Sequence, residues 1–136
     1  MNRLDRDRIA TLVGGAQKAL GLLRHHEKEN DLLESEVKLG NVKYQFIVAI
    51  ESCIDICTHI AARSYARAPE SYAGCFDLLL ERKILEKELA GKMSDLARFR
   101  NILVHRYWEV DNRKVVEKLK NDLSSIEDFL RRVSAL

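Results

Sequence analysis

Apolar residues recur every three or four positions through nearly every segment of this chain. Residues at that spacing lie on one face of an α-helix, so the pattern is typical of amphipathic helices. No alternating strand pattern competes with it, and Pro69 is the only proline in the sequence. The sequence therefore predicts an all-α protein.

Five helical segments can be delimited from the apolar stripes and their capping residues. The first segment follows Asp5 and ends in the polar run 24–30, and the second spans about 35–63. The third begins at Ser71 and carries residues 75–80. The fourth runs from about 87 into the cluster 100–108, and the last follows Asp111 and extends to 133. Short connections favour antiparallel neighbours. We therefore expect an up-and-down bundle of about five helices.

The length of the chain predicts one domain. A chain of 136 residues is close to the commonest domain size and too short for two independent cores. We expect residues 1–136 to form a single folding unit.

The charge balance excludes a general nucleic-acid coat protein. The chain has 23 Lys and Arg against 21 Asp and Glu, a net charge of +2, so any contact with RNA must be local.

Charges interrupt the apolar runs before the roughly 20 residues that a membrane span requires. The charged N-terminus is unlike a signal peptide. We expect a cytoplasmic protein without a membrane span.

The three cysteines, Cys53, Cys57 and Cys75, suit a reducing compartment better than a disulfide framework. Cys53 and Cys57 are four residues apart, but no second ligand cluster completes a metal site. Both lie on the apolar stripe of the second helix, where we expect them to be small core residues. We predict neither a metal nor a cofactor.

The cluster 100–108 carries the candidate chemistry. Metal-independent RNA cleavage uses the ribose hydroxyl as nucleophile, so a protein must move its proton, protonate the leaving oxygen and stabilise charge on the phosphorus. His105 and Arg100 suit those tasks, since imidazole titrates near neutral pH and the guanidinium matches phosphate oxygens. The two residues are about 140° apart around a helix and can only flank a groove. Asn101 shares a face with His105 and could orient its ring or contact a phosphate oxygen.

The string Phe99-Arg100-Asn101-Ile102-Leu103-Val104-His105-Arg106-Tyr107-Trp108 resembles the R-N-x-x-x-H motif of HEPN ribonucleases, in the R-x-x-x-x-H-x-Y form of the HepT toxins. Residues 49–51 and 54–60 are similar to the central helix of that family, and 71–76 to its linker into helix three. The resemblance covers essentially the whole chain.

This resemblance implies a toxin endoribonuclease that cleaves tRNA or mRNA without a metal, with Arg100 and His105 as catalytic residues and Asn101 in support. It implies a homodimer whose two subunits share one cleft. On the central helix, Asp55 and Glu51 would be polar helpers in that cleft. Its partner would be a minimal nucleotidyltransferase antitoxin, which silences the toxin by AMP transfer to Tyr107.

Other interpretations of these residues remain open. Arg100 could make a surface salt bridge while His105 caps terminal carbonyls. A HEPN domain can also serve as a catalytically silent substrate-binding partner of a nucleotidyltransferase, or the chain can be a helical protein-interaction module. We expect Trp108 to pack against a neighbouring helix, and the cluster 24–28 to be a solvated helix end.

Overall fold

The computed structural model describes residues 4–136. It contains six α-helices and two short 3-10 turns, and no strand occurs within those residues. The helices are α1 (Arg6–Glu27), α2 (Glu36–Tyr65), α3 (Tyr72–Glu81), α4 (Lys87–His105), α5 (Asn112–Asn121) and α6 (Leu123–Ser134), with 3-10 turns at Leu32–Glu34 and Tyr107–Glu109. The prediction of an all-α protein is confirmed.

Three of the helices begin at the residues that the sequence indicated as caps. Asp5 accepts a hydrogen bond from the Arg8 amide at 3.0 Å, and Ser71 accepts one from the Gly74 amide at 2.9 Å. Asp111 likewise accepts from the amide of Arg113. Each side chain satisfies a backbone donor that the first turn of a helix leaves free.

The sequence predicted one final helix where the structure has two. The helix divides at Asp122, whose φ of −110° and ψ of −4° depart from the values of a regular α-helix. The carboxylate of Asp122 forms an ion pair with Lys118 at 3.3 Å across the break. The apolar stripe continues through both halves, with Leu119 and Leu123 both buried. A break at a single residue therefore leaves no trace in the periodicity.

The core is built around α2, which contacts α1, α3, α4, α5 and α6. Its buried residues include Phe46, which meets Phe99 of α4 edge to face with ring centroids 5.4 Å apart. Cys53 and Cys57 are fully buried, as predicted, and burial raises the pKa of both thiols. Both are therefore core residues of the central helix.

By length and composition, α2 could cross a membrane. The expectation that charges interrupt every apolar run before it reaches the length of a membrane span is therefore wrong for this helix. In the most apolar window of this helix, 56% of the residues are buried inside the bundle. The central helix of a helical bundle is apolar because other helices surround it. The hydropathy of α2 follows from that position in the core.

Candidate active site

Arg100 is held in one orientation near the C-terminal end of α4. Its side chain is only 12% exposed. Nε and Nη2 donate hydrogen bonds to the same oxygen of Glu51, Oε1, at 3.0 and 2.5 Å. Nη1 donates to Oδ1 of Asn101 at 3.0 Å. These contacts fix a planar cationic fork at the junction of α2 and α4.

Asp55 lies one turn after Glu51 on α2, as the sequence predicted from their spacing. Burial raises the pKa of Asp55, and the charge of Glu51 raises it further, while Arg8 and Arg100 oppose the rise. The two carboxylates and two guanidinium groups therefore share one electrostatic environment. Arg8 brings α1 into this site, which sequence spacing could not indicate.

Tyr72, at the start of α3, completes the surroundings of Arg100. Its ring centroid lies 5.2 Å from Cζ of Arg100, within the range of a cation–π contact. The sequence drew attention to residue 72 only as part of a linker. A tyrosine directly after a helix cap gives no local signal that a guanidinium lies above it.

His105 is the last residue of α4, so its predicted position at a helix C-terminus is confirmed. Its side chain is exposed and makes no hydrogen bond or ion pair within residues 4–136. Five residues of helix separate it from Arg100 by about 7.5 Å along the axis and about 140° around it, so the two side chains do not share a face of α4. Asn101 and Glu51 both contact Arg100, and neither hydrogen-bonds His105.

Tyr107 lies in the 3-10 turn that follows α4 and is 48% exposed. The ammonium nitrogen of Lys43, on α2, lies 4.6 Å from its ring centroid. Trp108, in the same turn, is 80% exposed, so the prediction that it packs against a helix is wrong. None of the residues in that turn is buried, because the turn lies at the end of the bundle beyond the last residue of α4.

The cluster 24–28 is less solvated than the sequence predicted, although His25 and Lys28 are exposed as expected. His26 is buried, with Nδ1 2.5 Å from Glu29 and Nε2 2.8 Å from the amide nitrogen of Asn41. This network extends α1 into the polar run and joins it to α2. No group of three His, Cys, Asp or Glu side chains suited to a metal occurs in the described part of the chain.

One face of α2 is only partly covered by the other helices. Its residues follow one another at alternating steps of four and three and are exposed or half-buried, namely Val37, Asn41, Tyr44, Val48, Glu51 and Asp55. Such steps form a straight seam along a helix. The seam ends at the two carboxylates beside Arg100, so the partly covered face and the candidate site are continuous.

Solved structures share this fold. A tri-AMPylated HEPN toxin of Shewanella oneidensis in complex with MNT antitoxin superposes with a TM-score of 0.89 at 22% identity, covering 96% of this chain and 98% of that one. YutE of Bacillus subtilis, described as a cytosolic protein of unknown function, superposes with a TM-score of 0.87 at 21% identity, covering 99% and 92%. At this identity the likeness establishes the fold.

Sequence relatives carry ribonuclease names. The mRNA nuclease HepT of Shewanella oneidensis is 31% identical over 85 residues, which are 62% of this chain and 64% of that protein, a little under two thirds of its length. A putative RNase of Archaeoglobus fulgidus is 28% identical over 101 residues, 74% of this chain and 76% of that protein. Residues 16–133 match the family described as "Ribonuclease HepT-like". The chain belongs to the HepT-like ribonuclease family.

Proposed function

We propose that this protein is the toxin of a toxin–antitoxin system, an endoribonuclease that cleaves tRNA or mRNA in the cytoplasm with Arg100 and His105. The observation that carries the proposal is the state of Arg100, which is nearly buried and bound to Glu51 and Asn101. A guanidinium held in this way is oriented before a substrate arrives, so it loses little entropy on binding a phosphate. His105, exposed at the end of the same helix, supplies a group that can transfer protons.

The reaction that these groups support is an internal transesterification of RNA. The ribose 2′-oxygen attacks the adjacent phosphorus, and His105 accepts the proton of the hydroxyl. The bond from phosphorus to the 5′-oxygen breaks, giving a 2′,3′-cyclic phosphate and, after protonation, a free 5′-hydroxyl. Arg100 donates hydrogen bonds to the phosphate oxygens as charge develops there. The nucleophile belongs to the substrate, so these steps require no metal.

A homodimer through the partly covered face of α2 fits this chemistry. The seam contains the apolar side chains of Tyr44 and Val48, and an apolar helix face gains stability when another helix covers it. A two-fold axis through the seam pairs the same face of two subunits. With the axis at the end of the seam, beside Glu51 and Asp55, the two Arg100 sites would face one cleft. Each subunit would contribute one His105, giving one base and one acid.

We propose Tyr107 as the site at which a cognate nucleotidyltransferase antitoxin attaches AMP. Its partial exposure and its position two residues after His105 support this role. The phenolic oxygen would attack the α-phosphorus of ATP, forming an oxygen–phosphorus bond and releasing pyrophosphate and the phenolic proton. A phosphate at this position would repel RNA from the groove beside His105.

The first test is cleavage of RNA by the purified, unmodified protein in EDTA, with total tRNA and a defined mRNA transcript as substrates. We expect fragments that end in 2′,3′-cyclic phosphate, and no fragments from Arg100→Ala. Lys92→Ala, which removes an exposed cation near the other end of α4, serves as the control and should leave cleavage intact. Failure of the unmodified protein to cleave any of these RNAs would contradict the proposal and favour a silent partner of a nucleotidyltransferase.

A second test concerns the modification. Incubation with the cognate antitoxin, ATP and Mg²⁺ should add AMP to the protein, as measured by intact mass. Tyr107→Phe should abolish the gain in mass, while Tyr44→Phe, another exposed tyrosine, should not affect it. A mass gain that persists in Tyr107→Phe would assign the modification to another residue.

A further inference from the structure

Lys43 is a charged residue on the core side of α2. Its side chain is among the few charged ones that are buried, with 8% of the residue exposed. Its ammonium nitrogen lies 4.6 Å from the ring centroid of Tyr107, which makes it the cation of a cation–π pair. The two residues are 64 positions apart in sequence, so only the packing of the turn after α4 against α2 brings them together.

The charge of Lys43 has no carboxylate partner in the described part of the chain. Lys38, five residues earlier on the same helix, pairs with Glu29 and Asp31, and Lys118 of α5 pairs with Asp122. Lys43 makes no such pair, and its contact is the face of Tyr107. A buried cation without an anion is costly unless its charged end reaches water or binds a negative ligand.

The ammonium group of Lys43 makes no hydrogen bond within the described residues, and it is not sealed from solvent. Within residues 4–136, every side-chain nitrogen or oxygen that is sealed from solvent has a hydrogen-bond partner, so an unpartnered Nζ cannot be sealed. The stem of Lys43 is therefore buried while its tip emerges beside Tyr107, as long lysine side chains commonly arrange themselves. This places a positive charge without a carboxylate partner next to a half-exposed phenol.

We propose that Lys43 and Tyr107 together form a phosphate site, in which the ammonium of Lys43 binds a phosphate esterified to the Tyr107 hydroxyl. The inference rests on the proposed modification of Tyr107 and names the residue that receives the added charge. An ester on the hydroxyl places anionic oxygens at the edge of the ring whose face Lys43 already covers. Rotation of the terminal bonds of the lysine carries Nζ from the ring to those oxygens, which replaces a cation–π contact with a stronger charge-assisted hydrogen bond.

The consequence is a modified tyrosine with a defined position. Without a cation nearby, a phosphate on an exposed phenol would rotate freely. It would repel RNA only while it pointed toward the RNA-binding surface. Held by Lys43, the phosphate stays against α2 at the end of α4, beside His105. Lys43 therefore acts as a positioning residue for the inhibitory group.

The test uses phosphotyrosine incorporated at position 107 by genetic encoding in the full chain, and measures the second pKa of its phosphate by ³¹P NMR titration. That pKa is about 6 for an unperturbed phosphate ester. An ammonium bound to the dianion lowers it, so we expect a value about half a unit or more lower with Lys43 than with Lys43→Met. Lys43→Arg keeps the charge and should retain most of the lowering. A merely structural role for Lys43 would not distinguish methionine from arginine in this way.

Two further variants make the result decisive. Lys43→Gln is a second neutral variant, for use if methionine disturbs folding as judged by thermal melting. Lys92→Met removes a lysine that lies about 20 Å along α4 from its C-terminal residue, so it should leave the phosphate pKa unchanged. Equal phosphate pKa values in the parent and in a folded neutral variant of Lys43 overturn the proposal. The titration needs neither antitoxin nor ATP, so its outcome is separate from whether Tyr107 accepts AMP.

Discussion

Arg100 of α4 and Glu51 of α2 are joined by two hydrogen bonds to a single carboxylate oxygen, at 3.0 and 2.5 Å. The Arg100 side chain is nearly buried, whereas 41% of the Glu51 side chain is exposed. The pair fixes the guanidinium, and it also links the end of α4 to the central helix. Its loss should therefore affect both activity and stability.

Replacing Glu51 by alanine should slow RNA cleavage about tenfold, because the guanidinium of Arg100 would lose its fixed orientation. It should lower the free energy of unfolding by about 1 kcal/mol, a modest value because one partner is partly solvated. Glu51→Gln keeps an acceptor and should fall between the parent and the alanine variant. Single-turnover cleavage and urea unfolding measure the two effects. Glu117→Ala, at an exposed position of α5, is the control, and an equal response from both alanine variants would contradict the assigned role.

Removing the imidazole of His105 should separate activity from stability. His105 is exposed and makes no contact that α4 requires, so His105→Ala should change the free energy of unfolding by no more than about 0.5 kcal/mol. Loss of a group that transfers protons should reduce the cleavage rate by about 10²–10⁴-fold. The matched control is His25→Ala, at an exposed position of α1. Cleavage by His105→Ala at the parent rate would remove this residue from the mechanism.

The stability of the N-terminal end of α1 should depend on pH through His59. The Asp5 amide donates a hydrogen bond to Nε2 of His59 at 3.0 Å, which requires that this nitrogen carry no proton. Burial lowers the pKa of His59, Arg63 lowers it further, Asp5 opposes this, and Arg8 lowers it again. Because the folded-state pKa lies below the unfolded value of about 6.5, the stabilisation is complete above that pH and is lost as pH falls through the folded value.

The measurement compares urea unfolding of the parent protein and His59→Ala between pH 7.5 and pH 5. We expect the parent to be more stable at pH 7.5 and the difference to shrink on acidification. Gln17→Ala, a non-titrating exposed position of α1, should show no such trend. A difference that grows as the pH falls would mean that the charged imidazole is the stabilised form.

Phe46 and Phe99 connect the core to the candidate site, because Phe99 directly precedes Arg100. Phe46→Ala should lower the free energy of unfolding by about 3–5 kcal/mol through loss of buried area and creation of a cavity. Phe76→Ala is the matched control, since Phe76 is equally buried and meets Phe129 edge to face at 5.5 Å. Calorimetry should show similar losses for both. A loss below about 1 kcal/mol for Phe46→Ala would indicate that the core refills the space.

The sequence alone predicted the all-α class, most helix bounds, the caps Asp5, Ser71 and Asp111, and the position of His105 at a helix end. These features depend on contacts between residues up to four positions apart. Hydrophobic period and capping chemistry are local, so they can be recognised without knowing how the helices pack.

Other features depended on how the helices rotate and pack against one another. Only the tertiary structure decided that Glu51 binds Arg100, that Tyr72 lies beside the guanidinium, and that Lys43 covers Tyr107. It also decided that Trp108 is exposed. A stripe of apolar residues specifies which face of a helix is buried, but not which residue of a distant helix lies opposite. That choice follows from the packing of all the helices into one core, which no short segment of sequence contains.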